Sequence, residues 1–223
     1  MSSSCSPISP HVIQGYYFLL VSCGIALLLS IPPSTHVAQL MEPHWEPPPQ
    51  AFYMTYVIVT AILGLARGSA APSWGRVGWR TVSSLALLVL FGQCLVLPHL
   101  LFSRALLPNK DIVPLLLFVY AALVGWMFSL VALRLELWGT ARRTRPFLVQ
   151  YAVLGLVLIA PWLLSLSEHV PRIVATFSPI GAALGIVHSA PSGEHAVAFG
   201  FVALMILLQL LGLRHPIRRA HAI

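Results

Sequence analysis

Six long runs free of Asp, Glu, Lys and Arg decide what this chain can fold into. They cover His11 to Ile31, Ala51 to Ala66, Thr81 to Ser103, Ile112 to Leu133, Phe147 to Leu166 and Ala196 to Leu213. A helix rises ~1.5 Å per residue, so runs of roughly 17–25 apolar residues match a ~30 Å hydrocarbon core. Only 9% of the 223 residues are charged, against about 25% in soluble domains. Too few charges remain to clothe a water-facing surface. The expected fold is therefore an all-α polytopic membrane protein, a single six-span helical bundle over residues 1–223.

The stretch from Ser167 to His195 resists this scheme. It is apolar enough to enter a bilayer (Ile173, Val174, Phe177, Ile180, Leu184, Ile186, Val187), yet Pro171, Pro179 and Pro191 cut it and Gly181, Gly185 and Gly193 loosen it. Proline removes a helix donor, and irregular backbone at membrane depth is tolerated only where protein buries it. The stretch reads as a broken or re-entrant segment, with Pro179 at the break between two short helices.

Counting arginines orients the bundle. With six spans and the N-terminus inside, ten of the thirteen basic residues face the cytoplasm: Arg67, Arg76, Arg80, Arg134, Arg142, Arg143, Arg145, Arg214, Arg218 and Arg219. Only Arg104, Lys110 and Arg172 face outward, with five of the six acids. A seventh crossing made from residues 167–195 would put the three C-terminal arginines outside, against the positive-inside bias. Both termini are thus expected inside, and residues 167–195 dip into the membrane from the outer face and return. The same distribution accounts for the net charge of +7 without nucleic acid, which needs a contiguous aqueous basic patch. No Lys or Arg precedes the first apolar run and no small-residue cleavage site follows it, so a retained helix is expected there.

Three groups of residues stand out as candidates. Arg67, Trp74, Arg76, Trp79 and Arg80 form a cytoplasmic loop whose tryptophans suit a short amphipathic segment at headgroup level or an irregular basic loop, available to a partner. Ala121, Gly125 and Ser129, at four-residue spacing, make a stripe that lets two helices approach closely. Six of the nine histidines fall on the outer side; of these His99, beside Pro98, and His188 and His195 are the candidate metal or haem ligands. Their spacing matches no HxxxH or HxH pattern, and ordinary aqueous loop histidines are the default reading.

Chemistry finds little else. Cys5, Cys23 and Cys94 are odd in number and do not form a disulfide framework. The single lysine, Lys110, excludes a GxxxxGK[ST] phosphate loop, and neither HExxH nor GxSxG occurs. Arg145 and Pro146 with Pro191, Ser192, Gly193 and His195 come near the RP and PSGH boxes of membrane lipid phosphatases, but Glu194 interrupts the second box and the two pieces lie on opposite faces. Absence of charge from the apolar runs argues against proton relays and pumps. No catalytic residue is expected in this chain.

In layout the chain resembles the membrane subunits of type-2 ABC exporters, the ABC-2 permease family. Arg67 to Arg80 matches that family's cytoplasmic docking segment, and Glu168 to His195 its broken external segment, with Phe177, Ser178, Pro179 and Ile180 similar to the family's Ser-Pro or Asn-Pro step. The resemblance implies a permease subunit in a bacterial plasma membrane, in contact with lipid, paired with a second copy or a similar subunit, and driven by a separate cytoplasmic ATPase. Phe177, Pro179, Gly181 and Gly185 would then form an external gate, with no cofactor in this chain. The competing expectation is a non-catalytic scaffold subunit of a respiratory or photosynthetic complex that touches lipid, quinone, haem or pigment.

Overall fold

The computed structural model describes residues 10–30, 50–74, 77–103, 112–142, 147–158, 160–165, 172–187 and 192–220. Among them the chain is helical throughout, with no strand: α1 (Pro10–Ser30), α2 (Gln50–Ala70), α3 (Trp79–Ser103), α4 (Val113–Arg142), α5 (Phe147–Leu158), α6 (Ala160–Ser165), α7 (Pro179–Val187) and α8 (Ser192–Ala220). Two 3-10 turns, Ala71–Trp74 and Arg172–Phe177, precede α3 and α7.

Four helices are long and apolar enough to cross a membrane, over Phe52–Ala70, Trp79–Ser103, Val113–Trp138 and Gly193–Arg214, and a shorter apolar run covers Ile13–Leu28. α5 and α6, at 12 and 6 residues, are each too short alone for a ~30 Å core. Pro161 stands in the first turn of α6, where its missing N–H costs nothing. Outward-facing side chains are apolar: Tyr17, Phe18, Val21, Ile25 and Leu28 on α1, and Leu204, Leu207, Leu208 and Leu211 on α8. These stripes recur at helical spacing where a soluble protein would carry charge, as a lipid-facing surface requires.

Contacts fix the helix directions. Tyr16 meets Leu88 and Gly24 meets His99, so α1 and α3 run parallel. Tyr53 reaches Ser103 while Arg67 reaches Leu88, so α2 runs against α3. Gly64 lies on Gly125 and Gly68 on Ser129, so α2 and α4 run together. Tyr120 packs edge-on against Phe199 and Arg134 donates to Gln209, which makes α8 parallel to α4. α5 starts beside the C-terminal ends of α2 and α4, because Gln150 receives Ser69 and donates to Glu136.

Several helices overrun the expected spans, and the excess matters. α2 continues to Ala70, so Arg67 belongs to the helix and not to a loop. α4 continues to Arg142 and takes in Arg134 and Glu136. α8 begins at Ser192, which moves Glu194 and His195 from the external segment into a first helical turn, and it runs on to Ala220. A basic or acidic residue ends a lipid-spanning run without ending a helix, because backbone hydrogen bonding continues past the hydrocarbon boundary.

Candidate functional site

Residues 172–187 form the least regular part of the structure. The 3-10 turn Arg172–Phe177 ends in a bend at Ser178, and Pro179 opens α7. The local sequence dictates this break. Proline has no N–H and a φ preset for the first helical position, and the preceding serine is a favoured cap. Ser178 Oγ accepts from the Gly181 amide at 3.4 Å, and the Ser178 carbonyl accepts from Ala182 at 2.8 Å. The Ser178 amide donates to Ala175 at 2.9 Å, and Thr176 Oγ1 to the Ile173 carbonyl at 2.6 Å. Irregular backbone inside a membrane bundle demands such local satisfaction.

α7 is buried along most of its length, including Pro179, Ile180, Gly181, Ala182, Ala183, Ile186 and Val187. It packs on α2, α4, α8 and the turn before it. Gly181 makes that return possible: a Cβ there would collide with the Ala175 carbonyl and come 2.9 Å from the Ala175 Cβ. Phe177 is partly exposed and meets Phe201 of α8 edge-on at 5.3 Å. Of the expected gate residues, Phe177, Pro179 and Gly181 thus lie at the break itself, and half-buried Gly185 one turn further on.

Helix α2 meets a second group of buried polar side chains, shared with α3. Tyr56 donates to Gln93 of α3, whose amide donates to Thr60 Oγ1 at 3.3 Å; all three side chains are buried. Two turns further along, Arg67 is only 7% exposed. Its Nη1 donates to the Leu88 carbonyl at 3.2 Å, and its Cζ sits 4.5 Å from the centre of the Tyr16 ring. Tyr16 donates to the same Leu88 carbonyl at 2.8 Å. Gly92 leaves room for both, since a Cβ there would stand 2.9 Å from the Tyr16 ring and 3.3 Å from Arg67 Nη2. Nη2 itself is buried without a partner, a cost of at least about 1–3 kcal/mol for a polar group in a dry site.

The small-residue stripe faces α2. Gly64 would clash with the Gly125 carbonyl if it carried a Cβ, and Gly68 with the Ser129 carbonyl; the added Cβ of Gly68 would also lie 2.8 Å from that of Ala132. Ser129 returns its hydroxyl to the Gly125 carbonyl at 2.8 Å, and Ala121 is fully buried. The stripe packs two helices of one chain.

The expected docking residues separate. Arg67 is withdrawn into the bundle, because the helix runs on past it and Leu88 and Tyr16 hold its head. Trp74 ends the 3-10 turn, and Arg76 lies outside the described residues. The link between α2 and α3 holds that turn, with no separate amphipathic helix among the described residues. Trp79 and Arg80 are exposed at the start of α3, and Trp79 borders a crevice of about 450 Å³ with Leu210, Leu211 and Arg214 of α8.

The histidines do not converge. His99 lies against Gly24, with Nδ1 buried and unpartnered; His195 sits in the first turn of α8, with Nε2 in the same condition. His188 lies outside the described residues. Among the described residues no group of three or more His, Cys, Asp or Glu side chains could hold a metal ion.

No protein-family model, curated protein or solved structure matches this chain. The polar seam on α2 escaped the sequence reading, although one signal for it was present. Thr60, Gly64 and Gly68 repeat every four residues and mirror Ala121, Gly125 and Ser129, so the helix had to pass Arg67 to present Gly68.

Proposed function

We propose that this chain is a permease-like membrane subunit of a multi-subunit transporter driven by a separate ATPase, with six spans, both termini cytoplasmic and residues 172–187 as an external gate. The observation that carries the reading is the break at Ser178 and Pro179, between a 3-10 turn and α7. α5 starts at the end where α2 and α4 finish, and α8 runs parallel to α4. A segment between α5 and α8 that returns to the side it came from, with no net second crossing, is in keeping with those directions. A gate of this kind opens by tilting α7 off α2 and α8, with Ser178 as the hinge and Phe177 leaving Phe201. The exposed Trp79 and Arg80, beside Arg214, offer the inner surface an ATPase would grip.

Affinity purification of the full chain in mild detergent, without crosslinking, tests this. An ATPase is expected to accompany the wild-type chain and to be lost from a Trp79→Ala, Arg80→Glu double variant of unchanged expression. Purification without any nucleotide-hydrolysing partner contradicts the reading.

A second reading, a scaffold subunit beside haem or pigment, is favoured by buried, unpartnered His99 Nδ1. A visible absorption band from the purified chain that disappears in His99→Leu supports it. A featureless spectrum removes the haem or pigment contact.

A further inference from the structure

Arg67 is a buried cation that meets no counter-charge among the described residues. Among the described residues no carboxylate is hydrogen-bonded to it; its acceptor is the Leu88 carbonyl, its other neighbour the Tyr16 ring, and Nη2 has no partner. Peptide oxygen and an aromatic face are weak substitutes for an anion, and guanidinium groups are shaped for bidentate binding of phosphate. Tyr16 and Leu88 also line a cavity of about 480 Å³, together with Leu87, Leu90, Phe91 and Cys94. That volume is typical of sites for small ligands. Its walls are apolar, and it opens where Leu87, Leu90 and Phe91 are exposed on the outward face of α3, which in this fold is the lipid face.

Two of the six lining residues, Tyr16 and Leu88, are the groups that hold Arg67. A single aromatic ring therefore separates a lipid-facing apolar groove from an uncompensated positive charge. Tyr16 is tied by one hydrogen bond, to Leu88, by an edge contact with Phe91 at 5.3 Å and by the Arg67 guanidinium over its ring. Gly92, without a Cβ, is what lets ring and guanidinium sit together against α3.

We infer that this groove is a binding site for an acidic phospholipid, with one acyl chain along Leu87, Leu90 and Phe91 and the phosphate on Arg67 once Tyr16 swings aside. Charge complementarity selects this occupant: a zwitterionic lipid fills the groove equally well but brings its own cation to the arginine. The Arg67 head meets Leu88, nine residues into α3 from Trp79, roughly 13 Å of helix at 1.5 Å per residue, so the arginine draws the phosphate well inward of the helix end. The site stands independently of transport and of any ATPase.

The test is native mass spectrometry of the detergent-purified full chain titrated with dioleoyl phosphatidylglycerol or dioleoyl phosphatidylcholine. The wild-type chain is expected to bind one equivalent of the acidic lipid at least about tenfold more tightly than the zwitterionic one, as charge pairing in a dry site implies. Arg67→Lys should keep most of that preference and Arg67→Gln should bring it to about twofold or less. Leu87→Trp, at an exposed position that leaves the α2 interior untouched, should weaken both lipids together and keeps the test decisive if Arg67→Gln does not fold. Arg134→Gln, at an exposed arginine of α4, should leave the lipid preference unchanged. Equal affinity of the wild-type chain for the two lipids overturns the site, as does a preference that survives in folded Arg67→Gln or disappears in Arg134→Gln.

Discussion

Helix α2 is gripped from two sides by opposite means. Toward α4 it presents Thr60, Gly64 and Gly68, and the contact is backbone on backbone, with Gly64 against the Gly125 carbonyl and Gly68 against that of Ser129. Toward α3 it presents Tyr53, Tyr56, Thr60 and Arg67, and the contact is a line of hydrogen bonds to Ser103, Gln93 and Leu88, while α1 meets it through the Tyr16 ring beneath Arg67. Lipid supplies little hydrophobic drive between helices, so close packing and interhelical hydrogen bonds are the two means left. Packing against backbone admits one geometry. Side-chain hydrogen bonds to carbonyls tolerate a small slide, because the next carbonyl lies one turn away. The comparison assigns α2 and α4 to a rigid pair and α1 with α3 to the layer that can adjust.

The rigid pair should fail first and most severely. Gly64→Leu is expected to cost at least about 3 kcal/mol, at the upper end for overpacking, since the opposing atom is a backbone carbonyl that cannot rotate away. Loss of the monodisperse peak in size-exclusion chromatography after extraction checks it. Survival of that peak would mean that the two helices can separate without harm. Gln93→Leu should cost about 1 kcal/mol, the scale of an interhelical hydrogen bond in a membrane, and leave the fold intact; a shifted midpoint in detergent-induced unfolding measures it. A loss as large as that of Gly64→Leu would erase the distinction between the two sides. Gly155→Ala on α5 meets nothing within 4 Å and should change stability by less than about 0.5 kcal/mol, in the stabilising direction that helix propensity favours.

The helical class and the break at Pro179 could be read from residues alone, because both follow from strong local rules. Charge-free runs of membrane length admit few folds, and a serine followed by proline starts a helix wherever it stands. The stripe Ala121, Gly125, Ser129 was equally visible, but its partner was not, since spacing on one helix does not say which neighbour receives it. Arg67 misled for a physical reason. A charge marks the edge of a hydrocarbon run, yet a long side chain can turn inward when tyrosine, glycine and a carbonyl make room for its head. That room came from Tyr16, Leu88 and Gly92 on two other helices. His195 misled in the milder sense that helix α8 starts earlier than its apolar run.

The returning path of residues 172–187 is best tested by placing single cysteines at Arg172 and at Gly193 in a background without Cys5, Cys23 and Cys94, and labelling intact cells with a membrane-impermeant maleimide. Both positions are expected to label from outside without permeabilisation. Labelling of Arg172→Cys from outside and of Gly193→Cys only after permeabilisation would mean that the segment crosses the membrane, and would contradict the gate and the six-span topology together.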